Sequence, residues 1–496
     1  MNWIDLSIVV VYLIGTTLFG CSFFFRKKEG DGAKNFMTGG GKLPTWAIAL
    51  SVFATHVSSI SFLALPEGAY GPDCWRGWVN SITVPIATLV AAVWFIPFYR
   101  KSTDVSSYTF LERRYGVWAR VYSSLCFLVM QSARSGVILL LLAILVNQLL
   151  GISCEAIIVV TGVLTMLYAM MGGFAAVVWA DAIQSLILIG GTIVCVACLL
   201  VFTPDVTVQT KAAWDAGKMS LGSLTLSDWG TNTFWVLLFY SLCINLQNFG
   251  VDQSFTQRYV AAKSAKAAAR SIFASACLYV PVTLLFTVIG TLLWMYGRAN
   301  PGTIPEGIRP ASVFPWFIIH KLPTGVSGLL VAAIIAAAMS TIAATLNSGS
   351  TVLLEDYWKR FRPQATSDRG NVVFLRLMTV ALAFVSVGIA LAVVWCTTDM
   401  TILSAWWALQ GVLSGGMLGL FLLSMVSRRA RGTAAALATA LALLTIAYIT
   451  FGQRVLPLPV PLHTNLSIVF GTLVLVVSGM AFGIFIKGGR NADIAA

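Results

Sequence analysis

Apolar residues fill this chain in windows of about 20, the length an α-helix needs to cross a bilayer, instead of alternating with polar ones as strands do. Thirteen such windows stand out, near residues 3–25, 45–70, 77–99, 118–149, 153–171, 174–203, 232–257, 271–297, 325–354, 371–396, 401–427, 433–452 and 465–486. Two of them are interrupted where the bilayer core should be. The second carries Ala54-Thr55-His56-Val57-Ser58-Ser59-Ile60-Ser61, followed by Pro66 and Gly68; the seventh runs into Asn245, Gln247, Asn248 and Gly250. Non-helical backbone at that depth persists only where it lines a cavity or is buried in protein. Paired interruptions five spans apart point to a secondary transporter built as an inverted repeat.

The ninth window is apolar except for one band of small hydroxyls, Ser340, Thr341, Thr345, Ser348, Ser350 and Thr351. Helical spacing puts several of them on one face. Close helix packing through small residues and cation coordination both suit such a face. Two charges fall inside windows. Arg134 lies near the middle of the fourth, where a guanidinium costs at least about 2.5–3.5 kcal/mol and must find an anion or strong acceptor. An ion pair with a buried carboxylate and a fork for a solute carboxylate are the two readings. Asp181, about two turns into the sixth window, serves either a cation or Arg134, and its shallower depth disfavours the arginine.

Composition agrees with the windows. Of 496 residues 58% are hydrophobic and 10% charged, and the mean hydropathy is +0.85, which excludes an ordinary soluble domain. The chain carries a net charge of +13, yet this needs no nucleic acid. Twenty-four of the 32 Lys and Arg sit in alternate loops and the C-terminal tail. By the positive-inside rule those loops are cytoplasmic, so the N-terminus lies outside and the C-terminus inside. In that count Arg258 belongs to a cytoplasmic loop, and the 106–116 stretch SSYTFLERRYG reads as a basic surface anchor. The nine cysteines have no metal-ligand spacing. A channel would need a continuous polar lining, a membrane enzyme a nucleophile or acid–base cluster at the interface, and a sensor a signalling domain after residue 487; the chain offers none of these patterns.

At GGFAAVVWADAIQ (172–184), DQSFTQRY (252–259) and AAAMSTIAATLNS (336–348), supported by FLERRYG (110–116) and LLEDYWKR (353–360), the chain resembles the sodium:solute symporters over nearly its whole length. The resemblance implies an all-α polytopic membrane protein of thirteen transmembrane helices with a LeuT-type five-plus-five inverted repeat, the first helix of each repeat broken. The divisions expected are a peripheral helix and loop at 1–44, repeats at 45–203 and 232–427 around an outer loop at 204–231, and two peripheral helices with a cytoplasmic tail at 428–496. It also implies residence in the bacterial inner membrane, with the lipid bilayer, sodium and a small solute as partners and no obligate protein partner.

The family's shared sodium site maps by motif onto carbonyls of Ala54, Val57 and Ala337 and hydroxyls of Ser340 and Thr341, hard oxygen ligands for a hard cation, with Asp181 as the acid beside the sodium path. SVFATHVSSISFLALP and QSARSG resemble the sialic-acid branch. That likeness implies Arg134, Ser58 and Ser61 as the grip on a sugar carboxylate, with His56 and Asn80 lining the pocket. Where some members of that branch carry a second hydroxyl pair for another sodium, this chain has Ala343 and Ala344. One sodium moving with one carboxylate carries no net charge. Proline, a monocarboxylate or a neutral sugar are the alternative solutes. Thr345, Ser348 and Ser350 are left to packing.

Overall fold

The computed structural model describes residues 2–25, 32–101, 104–362, 367–396 and 401–486. The side chains at 59, 60, 396, 401–408 and 454 are not among those described, and the basic residues Arg26, Lys27, Lys28, Lys487 and Arg490 of the topology reading lie outside the described residues. The helices, in order, are α1 (Trp3–Phe25), α2 (Ala33–Thr38), α3 (Thr45–His56), α4 (Ser59–Tyr70), α5 (Val79–Val90), α6 (Ile96–Lys101), α7 (Thr109–Tyr115), α8 (Val117–Leu150), α9 (Cys154–Phe202), α10 (Val206–Asp215), α11 (Phe234–Gly250), α12 (Gln253–Ala261), α13 (Ala265–Ala299), α14 (Pro310–His320), α15 (Val326–Val352), α16 (Lys359–Phe361), α17 (Asp368–Cys396), α18 (Thr401–Val426), α19 (Gly432–Phe451) and α20 (Leu466–Phe485). Among the described residues no strand forms, only one isolated bridge between Leu43 and Ala262.

Ten of these helices are long and apolar enough to cross a membrane, and two bent pairs raise the number to as many as twelve. The fold is therefore that of an integral, multi-pass membrane protein. Both interruptions read from the sequence are real bends: α3 meets α4 at 55° and α11 meets α12 at 44°. At the first, Val57 (φ −76°, ψ 118°) and Ser58 (φ −110°, ψ 167°) are extended. Here β-branched and hydroxyl side chains, which favour extended or capping backbone over helix, gather in one run. At the second, Asp252 is extended and caps α12, its Oδ1 accepting from Ser254 N at 2.7 Å. The 49-residue α9 holds a third discontinuity at Gly173 (φ 66°, ψ −161°). At 1.5 Å per residue the run is about 74 Å long, more than twice the roughly 30 Å hydrocarbon thickness.

α15 is the hub. Nearly every residue from Ser327 to Val352 is buried, with α9, α8, α1, α17, α12 and α3 packed around it. Small side chains let so many neighbours approach one helix. It ends in a π turn, Leu353–Trp358, that carries Asp356 inward.

The stretch expected to be a surface anchor is instead an interlock. Ser106 Oγ donates to Asp356 Oδ2 at 2.8 Å, and Ser107 Oγ donates to Gln253 Oε1 at 2.9 Å. Arg120 Nε reaches Asp356 Oδ1 and its Nη1 reaches Glu112 Oε2, each at 2.8 Å, while Arg360 pairs with Glu112 as well. Engaging these seven side chains with one another ties α7, α8, α12 and the π turn together, which hydropathy alone does not register.

Candidate binding site at the broken helices

An α-helix leaves its last carbonyls without partners, and the break in α3 puts such carbonyls at membrane depth. Phe53 O still accepts from Val57 N at 2.8 Å. Thr55 O is taken by Arg134 Nη2 at 3.3 Å. Ala54 and Val57, both buried, have their carbonyls beyond the helical ladder. Across from them, α15 brings Ala337, Ser340 and Thr341, all buried. Thr341 Oγ1 donates to Ala337 O at 3.1 Å and Ser340 Oγ to Asp181 Oδ1 at 2.6 Å. A hydroxyl that donates its hydrogen keeps its lone pairs, so both oxygens remain able to ligate a cation. Freed carbonyls, two hydroxyls and a carboxylate one hydrogen bond away are hard oxygen donors of the kind a sodium ion takes.

Asp181 is fully buried and pairs with neither Arg134 nor solvent. Its partner is Arg258, Nη2 to Oδ2 at 3.0 Å, with Ser51 Oγ donating to the same oxygen at 2.5 Å. Arg258 Nε also donates to Ser51 Oγ at 2.8 Å and Nη1 to Ser254 O. The placement of Arg258 in a cytoplasmic loop is thus corrected: it is 1% exposed, and the bend between α11 and α12 turns it inward, where the carboxylate offsets the cost of burying it.

Arg134, half-buried on α8, has no carboxylate within 4.0 Å among the described residues. Among the described residues it therefore makes no direct ion pair, although Asp252 lies near enough to act on its charge. Around it the structure gathers most of the expected pocket. His56 is stacked on Phe249 (5.2 Å, 21°) and meets Tyr279 edge-on at 4.4 Å. Tyr279 has Asn80, Ser81 and Arg134 as polar neighbours. Ser58 is buried and Ser61 half-buried, and among the described residues neither hydroxyl has a hydrogen-bond partner. Asn80 is less free than expected: its carbonyl and Oδ1 accept from Asn245 Nδ2 at 3.1 and 3.2 Å, which binds α5 to α11.

The hydroxyl band divides differently from the sequence expectation. Ser350 only bonds back to Asn347 O. Thr345 and Ser348 do more than pack: Thr345 Oγ1 reaches Gln131 Oε1 at 3.4 Å and Ser348 Oγ meets Ser254 Oγ at 2.9 Å. Gln131 Nε2 in turn donates to Asp252 Oδ2 at 2.6 Å. Asp252, Gln131, Arg258, Ser51 and Tyr279 contact the candidate site residues or their partners, and the sequence reading missed them. The signal for two of them was present in DQSFTQRY, whose carboxylate and guanidinium lie six residues apart in an otherwise neutral run.

Comparison with known proteins adds the family. The chain is 31% identical over 458 residues to the sodium/sialic acid symporter SiaT of Proteus mirabilis, covering 91% of this chain and 90% of that one. It is 30% identical over 505 residues to the sodium/sialic acid symporter NanT of Aliivibrio fischeri, covering 99% and 95%. A solved structure of a Na+-coupled sialic acid symporter, substrate-bound and outward-open, superposes with a TM-score of 0.90 at 27% identity over 98% of both chains. Residues 36–442 match the model of the sodium:solute symporter family, and the chain belongs to that family.

Proposed function

We propose that this protein is a sodium-coupled symporter that imports sialic acid by alternating access, with Arg134 as the anchor for the sugar carboxylate. The observation that carries the solute assignment is the state of that arginine. It is a guanidinium at mid-membrane depth without a carboxylate in contact among the described residues, held only by a 3.3 Å bond to Thr55 O, and two unpaired hydroxyls lie at the adjacent break. A carboxylate accepts two parallel N–H bonds from such a fork and further bonds from the hydroxyls of Ser58 and Ser61, and the sugar's own hydroxyls suit Asn80 and His56. The 31% and 30% identities to sialic acid symporters support the same choice.

Sodium is the coupling ion. Its ligands in this reading are the carbonyls of Ala54, Val57 and Ala337 and the hydroxyls of Ser340 and Thr341, so the ion bridges α3 and α15 and holds the break in one geometry. Solute on Arg134 then competes with Thr55 O, the residue next to Ala54, which gives the two ligands a shared element to act on. Asp181 lies beside the path by which sodium leaves, its carboxylate already balanced by Arg258. Ala343 and Ala344 present methyl groups where a second sodium would need oxygen.

Counting both bent pairs and the Gly173 break gives thirteen spans, arranged as a five-plus-five repeat over 45–203 and 232–427. The loop charges support an outside N-terminus and a cytoplasmic C-terminus in a bacterial inner membrane. The test is uptake of labelled sialic acid into liposomes containing the purified protein, with sodium and with potassium. Sodium-dependent accumulation that Arg134→Ala abolishes is expected. Sodium-dependent uptake left intact by that substitution overturns the anchor, and accumulation of proline or a short monocarboxylate in place of sialic acid overturns the solute.

A further inference from the structure

The described membrane core holds two fully buried aspartates, and their surroundings differ in kind. Asp181 is gripped by a guanidinium, a group with five donors and no acceptor, which can satisfy only an ionised carboxylate. Asp252 Oδ2 faces the Gln131 amide at 2.6 Å, and the groups behind that amide are hydroxyls: Ser254 at 3.3 Å, Thr345 at 3.4 Å and, through Ser254, Ser348 at 2.9 Å. All five residues are at least nine-tenths buried. An amide presents either N–H or C=O by turning over, and a hydroxyl gives or takes by rotating. With Asp252 ionised, Gln131 Nε2 donates to Oδ2. With a proton on Oδ2, the carboxyl donates to Gln131 Oε1, and Nε2 turns to Thr345 Oγ1. Oδ1 keeps its bond from Ser254 N in both states. Apart from that turn of the Gln131 amide, no heavy atom need move.

The charged and titratable groups that act on Asp252 are Arg134 from α8, Arg258 from α12, and the phenols Tyr108 and Tyr259. His56 of α3 and Tyr279 of α13 act on Arg134 instead, and α15 contributes the hydroxyls Thr345 and Ser348. Arg258 is committed to Asp181. That leaves Arg134, one helical turn from Gln131, as the countercharge of Asp252. A solute carboxylate seated on Arg134 neutralises that countercharge and leaves Asp252 a lone buried anion, which a low-dielectric interior does not tolerate.

We propose that Asp252 is a proton-binding site loaded when a carboxylated solute occupies Arg134. This rests on Arg134 as the solute anchor. The proton comes from water on binding and returns to water when the solute leaves; no bond other than O–H forms or breaks. Released to the cytoplasm with sodium and the anion, it makes the cycle move one net positive charge, where sodium and carboxylate alone move none.

Calorimetry of N-acetylneuraminate binding to the full-length protein in sodium, repeated in buffers of different ionisation enthalpy, reads the proton directly. The wild type is expected to take up about one proton per solute, and its affinity to fall about tenfold per pH unit above the titration of the free site. Asp252→Asn is expected to bind without proton uptake and with an affinity independent of pH. Binding without proton uptake by the wild type overturns the proposal while leaving the solute anchor standing. Equal proton uptake by Asp252→Asn also overturns it, and absence of sodium-dependent binding overturns the functional reading and this one together. Should Asp252→Asn fail to fold, the wild-type infrared difference spectrum decides. A protonated-carboxyl C=O band appearing with solute supports the site, and its absence overturns it.

Discussion

Replacing Arg258 by alanine removes the counter-ion of Asp181, the bond to Ser51 Oγ and the bond to Ser254 O. Asp181 keeps two hydroxyl donors, Ser340 and Ser51, but no positive charge. With both partners 1% exposed or less, solvent does not screen the loss, and breaking such a pair costs about 3–5 kcal/mol. Asp181→Asn leaves the guanidinium unbalanced and should cost a similar amount. The double replacement Asp181→Asn/Arg258→Gln buries two neutral amides and should recover about 2–3 kcal/mol of the summed loss, the size expected of contacting residues. Thermal unfolding of the detergent-solubilised protein, at one fixed heating rate because such unfolding is irreversible, follows these changes as midpoint shifts of roughly 3–5 °C for each single variant. Sodium separates the singles further. The unbalanced carboxylate in Arg258→Ala attracts the cation, so added sodium should raise that variant's midpoint more than the wild type's. Additive losses in the double variant, or single variants within roughly 1 °C of wild type, would refute the pair as a stabilising element of the sodium region.

Thr341→Val removes one proposed sodium ligand while keeping shape, and should raise the sodium concentration needed for half-maximal uptake about 10–100-fold, the equivalent of one charge-assisted contact; titrating sodium in the liposome assay checks it. Gly173→Ala should lower the yield of folded protein, because Gly173 sits at φ +66° and a Cβ there comes within 3.0 Å of Phe36 O; size-exclusion chromatography of the solubilised protein reads this. Burial pushes the Glu112 carboxyl up, but the guanidinium groups of Arg120 and Arg360 outweigh it and hold Glu112 below the usual range. A depressed carboxylate stabilises the fold above its unfolded pKa of about 4.3 and ceases to do so as pH falls through the folded value. Glu112→Gln should therefore flatten the acid limb of the unfolding midpoint measured from neutral pH downward.

The two breaks were legible because their causes are local. Hydroxyl and β-branched side chains at 55–61, and an aspartate able to cap at 252, disfavour helix wherever they occur. Arg134 was legible for a similar reason, since one guanidinium in a long apolar run is visible without knowing its neighbours. Arg258 was not legible: six positions past Asp252 and five before the next lysine, it has the sequence context of a loop cation. Only the 44° bend at Val251–Asp252 turns it toward Asp181. The 106–116 stretch was misread in the same way, because a run rich in hydroxyls and charges looks solvated until its partners are placed.

The sequence by itself determined the environment of this protein, the number of its apolar windows and the points where helix must fail. Each of these depends on composition within a window of twenty residues or fewer. Tertiary structure decided which buried charges pair and which remain available. Asp181 and Arg258 are 77 positions apart and Gln131 and Asp252 are 121 apart, and no local rule relates them. Pairing is settled by the packing of α3, α8, α12 and α15 around one another, where each buried charge must meet an opposite charge or a donor within a few ångströms. That packing spends Arg258 on Asp181 and leaves Arg134 and Asp252 without a direct ion pair among the described residues.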